Sequence, residues 1–146
     1  MSRQAGTSLI ETIATLAIIA LFLGGTLANL EPAEAPLQTG SMLVEGFILQ
    51  ARSSAMATTS AYRIVPDGAG RLLTEHADRC SDASWTSEPG NALDLPDEVT
   101  LSDTDWTVCF GRRGLSTDNL TLTLVHPEYG SRQIEVLLGG TTRVLP

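Results

Sequence analysis

The feature that most constrains the fold is an apolar run from Leu9 to Leu30 that contains a single charged residue, Glu11. At 1.5 Å per residue, a helix of this length covers the roughly 30 Å hydrocarbon core of a bilayer. An acidic residue in such a helix costs about 2.5–3.5 kcal/mol at the bilayer centre, so Glu11 requires a reason. Arg3 precedes the run with no acidic residue beside it, which predicts a cytoplasmic N-terminus and an exported remainder.

Two cleavage sites are consistent with this run. The segment "GGTLANLEPAEA" after the run fits a secretory signal that ends at Ala33 or Ala35. The alternative is cleavage after Gly6, which keeps the apolar helix in the mature protein and makes Thr7 its first residue. The residues on the N-terminal side of the run distinguish cleavage after the run from cleavage after Gly6.

The short basic leader, Gly6, the glutamate at mature position five and the continuous apolar helix resemble the type IV prepilin (class III) signal. This resemblance implies cleavage after Gly6, N-methylation of Thr7, and pairing of Glu11 with the terminal amine of a neighbouring subunit. Thr7 departs from the family pattern, in which the first mature residue is usually Phe or Met. A capping box in "SLIE", Ser8 to Glu11, is an alternative role for the glutamate.

The resemblance and the composition together divide the chain into four parts. These are the leader peptide 1–6, the transmembrane and filament-core helix 7–30, a kink and amphipathic helix 31–59, and a β-rich globular domain 60–146.

The second helix is predicted to be amphipathic. Pro32 and Pro36 interrupt helical continuity, and the helix is expected to resume near Ser41. Its apolar positions recur every four residues with three neighbours that widen the stripe, so one face should lie on a β-sheet. These positions are Leu43, Phe47, Ala51 and Ala55, widened by Val44, Ile48 and Met56.

From Ala61 onward, short extended runs alternate with turn residues. "AYRIV" and "RLLTEH" flank the turn "PDGAG", which predicts a hairpin, and the segment from Ala77 to Gly90 is interpreted as a loop. The later runs "VTL", "WTVCF", "NLTLTLV", "RQIEVLL" and "GGTTRVL" are predicted strands. The predicted class is α+β: a hydrophobic transmembrane helix continues through a proline kink into an amphipathic helix packed on a C-terminal antiparallel β-sheet domain.

A second resemblance covers this exported part. "LQARSSAMATTSAYRI" is similar to the helix-to-strand junction of GspH/FimT-type minor pilins and pseudopilins, which commonly carry A-R-S-x-A there. "VCFGRRGLST" and "SRQIEVLLGGTTRV" follow the order of late strands in that group and its near-terminal glycine-arginine ending. The sequence therefore resembles the type IV pilin-like superfamily.

The resemblance implies a non-enzymatic subunit at or near the tip of a type IV pilus or a type II secretion pseudopilus. Its implied partners are other minor pilins, the major pilin or pseudopilin, the prepilin peptidase, the inner-membrane assembly platform and the membrane itself. It would wait in the inner membrane with its globular domain outside. The competing hypothesis is a membrane-anchored or secreted extracytoplasmic binding domain unrelated to filaments.

Little in the composition indicates catalysis. The two histidines, His76 and His126, are far apart and belong to no HExxH motif, and no nucleophile elbow or P-loop is present. The acids in "LDLPDE" and "SDTD" do not follow the order of a calcium loop and are interpreted as solvated turns. We expect no enzyme activity, metal or cofactor.

The chain contains two cysteines, Cys80 and Cys109, both in the predicted exported domain. An even pair in such a domain predicts a disulfide, and two buried free thiols are the alternative.

DNA binding is a weaker hypothesis, linked to natural transformation. Some FimT-like minor pilins bind DNA through a C-terminal G-R-x-R motif, and the matching stretch here is "GTTR", in which only Arg143 remains. Arg132, Arg112 and Arg113 are further candidates for phosphate contacts. The net charge of −8 opposes DNA binding through the overall field, so any contact would have to be local.

Overall fold

The computed structural model describes Ile10, residues 12–18 and residues 35–145. The chain divides into two compact units, Met1–Ala33 and Glu34–Pro146. In the first unit, residues 12–18 are helical with exposed side chains. Among the described residues, no helix combines the length and the apolarity that a membrane crossing requires. The predicted leader and most of the predicted span lie outside the described residues.

Helix α1 extends over Ala35–Thr58. It begins before Ser41, the expected start, because Pro36 occupies the first turn, where the missing N–H has no intrahelical partner to lose. Ser41 instead lies buried within the helix, and its Oγ donates a hydrogen bond to the Leu37 carbonyl oxygen over 2.6 Å. The helix ends at Thr58, and the next residue, Thr59, has a left-handed φ of 53°.

The buried face of α1 is shifted relative to the predicted stripe. Leu43 and Met56 were expected in the stripe, but they are 42% and 45% exposed. Each four-residue step advances about 40° around a helix of 3.6 residues per turn, so a strict four-residue series leaves the core at its ends. The side chains that reach the core are Leu37, Val44, Phe47, Ile48, Ala51 and Ala55.

Two antiparallel four-stranded sheets pack against α1. Sheet A has the order β3-β2-β1-β5 and contains β1 (Ala61–Pro66), β2 (Arg71–Ala77), β3 (Thr86–Asp94) and β5 (Val108–Phe110). Sheet B has the order β4-β6-β7-β8 and contains β4 (Thr100–Leu101), β6 (Leu120–His126), β7 (Gly130–Val136) and β8 (Thr142–Leu145). The α+β class and the antiparallel arrangement agree with the sequence prediction.

Strand β3 is the main departure from that prediction, because a loop was expected through Gly90. Its sequence "TSEPGNALD" contains a proline and a glycine and lacks apolar alternation. As an edge strand, β3 bonds only to β2, so the missing N–H of proline costs no ladder hydrogen bond on the free side. The pairing also shifts register between Leu73 and Glu75, which marks a bulge.

The other predicted hairpins form as expected. β1 and β2 pair across the "PDGAG" turn, with Ile64 opposite Thr74. In sheet B, Leu122 lies opposite Ile134, and both are buried against α1 together with Leu124. The hydrophobic core is formed by residues of the second unit. The buried apolar side chains of this core lie between Leu37 and Val136 in the sequence.

Candidate assembly surface

The exposed side of α1 carries no charged residue. Met42, Leu49 and Met56 are 60%, 47% and 45% exposed, and they recur every seven residues, close to two helical turns. Gly46 and Ser53 lie exposed between them. These five residues form a strip about 21 Å long, which we call the uncharged face of α1.

Both charged residues of α1 are held away from this face. Glu45 accepts a hydrogen bond at Oε1 from Thr142 Oγ1 on β8 over 3.1 Å. Arg52 donates from Nε to the carbonyl oxygen of Gly114 over 3.0 Å. The uncharged face can therefore be buried against another apolar surface without leaving an unpaired charge behind.

A groove of about 460 Å³ borders the uncharged face on its sheet A side. Its walls are Met42, Leu43 and Phe47 of α1 and residues 90–93 of the edge strand β3. Across it, Gln50 Nε2 donates to the side-chain oxygen of Asn91 over 2.9 Å and fixes the strand to the helix.

Cys80 and Cys109 form the disulfide that the sequence predicts, with Cα atoms 5.9 Å apart. It joins the segment after β2 to the buried strand β5.

No group of three or more His, Cys, Asp or Glu side chains within residues 12–18 and 35–145 is arranged to hold a metal ion.

The four arginines predicted for DNA contact are not equivalent. Arg143 on β8 is paired with Glu135 on β7, with 2.7 Å between Nη2 and Oε2, so its charge is locally neutralised. Arg132 lies on β7 opposite Leu124. Arg112 and Arg113 are exposed in the turn after β5.

The remaining predicted site residues, Gly6, Thr7 and Glu11, lie outside the described residues. Their roles in processing and assembly stay predictions from the sequence.

A junction that the sequence analysis missed joins three segments at the end of α1. Arg52 comes from "ARSSA", Gly114 from "GRRG" and Gly140 from "LGGTT". A Cβ on Gly140 would overlap the Gly114 carbonyl oxygen and lie 2.9 Å from Arg52 Nε. A Cβ on Gly114 would lie 2.8 Å from Met56 Sδ. The three segments stand out in the sequence as short motifs. No local pattern in the sequence indicates that these three motifs contact one another in the fold.

This arrangement of one half-buried helix under two small antiparallel sheets is known from solved structures. The minor pseudopilin EpsH of the type 2 secretion system of Vibrio cholerae matches with a TM-score of 0.58 and 14% identity, over 75% of this chain and 96% of that chain. The type IV minor pilin FimU of Pseudomonas aeruginosa matches with a TM-score of 0.60 and 16% identity, over 75% of this chain and 88% of that chain.

The chain has the minor-pilin fold. At these identities the similarity shows the fold, and the resemblance to GspH/FimT-type proteins in the sequence agrees with it. No protein-family model matches the chain, and no curated protein is significantly similar to it.

Proposed function

We propose that this chain is a non-enzymatic minor pilin or pseudopilin that assembles into a type IV pilus or a type II secretion pseudopilus. The observation that carries the proposal is the uncharged face of α1 on a minor-pilin fold. In a chain with a net charge of −8, it is a surface that other subunits can approach without charge repulsion.

The energetics of this surface suit assembly. Burying the exposed part of each of Met42, Leu49 and Met56 would contribute about 1 kcal/mol, since full burial of such side chains is worth about 1.5–3 kcal/mol. Gly46 and Ser53 allow a partner helix to approach closely between these side chains. Such a face is too weak to hold subunits together alone, so the apolar N-terminal run would supply the larger contribution.

The N-terminal segment supplies the processing and the register in this proposal. Prepilin peptidase would cleave after Gly6, and the new amino terminus of Thr7 would be methylated. Glu11 of an incoming subunit would pair with the terminal amine of its neighbour, because either charge left unpaired in the membrane is costly. The subunit would wait in the inner membrane and then enter a filament beside other pilins.

The mature N-terminus tests this proposal against an exported binding domain. The protein is purified from its native membrane, and its N-terminal peptide is identified by mass spectrometry. A peptide that begins at Thr7, together with co-purification in sheared filaments, is expected. A start near Ala35, or an intact Met1 in assembled material, contradicts the proposal.

DNA uptake is the weaker alternative within the pilin hypothesis. Replacing Arg143 and Arg132 would lower transformation while leaving filaments intact if this alternative holds. Unchanged transformation would remove it.

A further inference from the structure

A groove of about 440 Å³ opens where the segment after β2 meets the turn after β5. Three exposed arginines line it, Arg79, Arg112 and Arg113. Its wall also contains Asp78 and the side chain of Leu115, which is 51% exposed. We call this site the arginine groove.

The guanidinium groups of the groove are available to a partner. Within the described part of the chain, none of the three forms a salt bridge with a carboxylate, in contrast to Arg63, Arg71 and Arg143. Arg112 Nη2 donates one long hydrogen bond, 3.4 Å, to the backbone carbonyl oxygen of Asp78 and makes no ion pair. A guanidinium group binds a carboxylate through two parallel hydrogen bonds, so the groove is suited to an acidic partner.

The disulfide assembles this groove. Cys80 directly follows Arg79, and Cys109 precedes Arg112 by three residues on β5. The bond thus holds Arg79 near Arg112 and Arg113, although like charges repel one another. The disulfide and the strand order of sheet A therefore both position the three arginines.

The opposite end of the domain has the complementary charge. Four loops lie there, residues 67–70, 95–99, 102–107 and 127–129, and they contain six carboxylates and no basic residue. The carboxylates are Asp67, Asp97, Glu98, Asp103, Asp105 and Glu128. We call these four loops the acidic end.

Contacts between the loops hold the acidic end together. The Leu95 N–H donates to the Gly70 carbonyl oxygen over 2.8 Å. Glu98 Oε2 lies 3.4 Å from Nε2 of the buried His126, the residue just before the fourth loop. The Leu101 N–H, just before the third loop, also donates to the Ala69 carbonyl oxygen over 2.7 Å, so these contacts make the acidic end one surface.

The two charged sites lie at opposite ends of α1. A Cβ on Gly40, near the start of the helix, would lie 3.2 Å from Val99 Cγ1 in the acidic end. Met56 lies in the last turn of the helix. Its Sδ would be 2.8 Å from a Cβ on Gly114, which is beside the arginine groove. Gly40 and Met56 are sixteen positions apart, which corresponds to about 24 Å along the helix.

We propose that the arginine groove of one copy binds the acidic end of a second copy stacked head to tail along the direction of α1. The contact is heterologous and does not close on itself, so it would extend a stack of domains with parallel helices. Tyr129, 36% exposed beside Glu128, offers an apolar partner for Leu115. This inference rests on the proposed function, because it names a neighbour for a subunit of a filament.

A nucleic acid is the less suitable occupant. Useful affinity for DNA needs several phosphate contacts and is lost steeply with salt, whereas the groove offers three arginines beside Asp78. The net charge of −8 also opposes the approach of a polyanion such as DNA.

The absence of lysine from the chain makes a sharp test available. Arg113→Lys keeps the charge of the groove and introduces a single side-chain amine. The full-length variant in detergent micelles is treated with a carbodiimide, which joins an amine directly to a carboxylate in contact with it. We expect a covalent dimer in which residue 113 is linked to a carboxylate of the acidic end, as identified by mass spectrometry.

Arg143→Lys is the matched control, because that position is exposed and already paired with Glu135. It should give the intramolecular link and at least about fivefold less dimer, because residue 143 lies outside the arginine groove and charges farther apart than a Debye length of about 8 Å are largely screened. Comparing the two variants in the same micelles removes any association through the N-terminal segment.

Charge reversal provides a second arm. Adding Arg79→Glu and Arg112→Glu to the reporter should abolish its dimer, and so should Asp103→Arg with Asp105→Arg. Mixing the two reversed proteins should restore a cross-linked heterodimer, because the unmodified acidic end of the first protein can then meet the unmodified groove of the second. Reduction of the disulfide should lower dimer formation by the Arg113→Lys protein while its secondary structure is retained.

Three results would overturn the inference. The first is a link from residue 113 only to Asp78 or Asp118 of the same copy. The second is equal dimer yield from Arg113→Lys and Arg143→Lys. The third is retention of a DNA duplex by the unmodified protein at 0.15 M salt, abolished by reversing the groove, without any dimer. None of these changes the result of N-terminal sequencing, so the proposed function is tested separately.

Discussion

Arg52 Nε donates a hydrogen bond to the carbonyl oxygen of Gly114 over 3.0 Å, although the two residues are 62 positions apart. Gly140 packs directly against this hydrogen bond. Its φ is 73°, a left-handed conformation that favours glycine. The contact ties the last turns of α1 to the loop after β5 and to the turn before β8. It thereby joins the two sheets at one end of the helix.

Gly140→Ala should destabilise the domain severely. The new Cβ would overlap the Gly114 carbonyl oxygen and approach Arg52 Nε to 2.9 Å, in addition to the strained φ. Overpacking together with left-handed strain costs about 2–4 kcal/mol. The measurement is urea unfolding followed by circular dichroism. Gly139→Ala is the control, since its Cβ meets nothing within 4 Å, and equal stability of the two variants would contradict the prediction.

Arg52→Met tests the hydrogen bond itself. The variant keeps much of the aliphatic stem but leaves the Gly114 carbonyl oxygen, in a buried turn, without its donor. We expect a loss of about 1–3 kcal/mol in the free energy of unfolding. Arg143→Met removes an exposed pair with Glu135 and should cost less than about 1 kcal/mol. A smaller loss for Arg52→Met than for Arg143→Met would show that the junction does not hold the sheets.

The sequence predicts much of the fold where local patterns decide it. The alternation of Leu122 and Leu124 with threonine and the "PDGAG" turn are local signals, and both lead to the observed hairpins. β3 was missed because its strand state comes from pairing with β2, not from its own residues. The face of α1 was partly misplaced because a four-residue repeat approximates a 3.6-residue period only over a short length.

The candidate sites depend even more on contacts distant in sequence. Met42, Leu49 and Met56 could be identified by their seven-residue spacing, but only their exposure distinguishes them from a core stripe. The arginine groove could not be predicted, because Arg79 and Arg112 are brought together by a disulfide and by the order of strands in sheet A. Local pattern carries no information on such pairs.

Removal of the disulfide should weaken the domain without abolishing the fold. Cys80 and Cys109 are 29 positions apart, and closing a loop of that length stabilises by about 3–4 kcal/mol in the loop-entropy model. The variant Cys80→Ala/Cys109→Ala should therefore unfold at a lower urea concentration. Unfolding of the unmodified protein with and without reductant checks this value independently. If reductant leaves the urea midpoint unchanged, the bond contributes nothing to stability.

Leu49→Lys tests the uncharged face of α1 without disturbing the core. Because Leu49 is 47% exposed, a lysine should change the free energy of unfolding by less than about 0.5 kcal/mol. It should lower the fraction of subunit recovered in sheared filaments, since a charge would be buried against an apolar neighbour. Thr121→Lys, at an exposed position on β6, is the matched control and should assemble normally. Normal assembly of both variants would exclude the face as a contact surface.

Glu11→Gln separates the two roles of the glutamate in the apolar run. Glutamine can complete a capping box but carries no charge, so membrane insertion and cleavage after Gly6 should be unaffected. Entry into filaments should fall at least about tenfold, because removing one partner of a buried ion pair costs about 3–5 kcal/mol. The measurement is immunoblotting of sheared filaments and membranes, with Glu34→Gln as the control outside the run. If Glu11→Gln assembles as well as this control, the glutamate serves only as a helix cap, and another contact must set the register of the subunit.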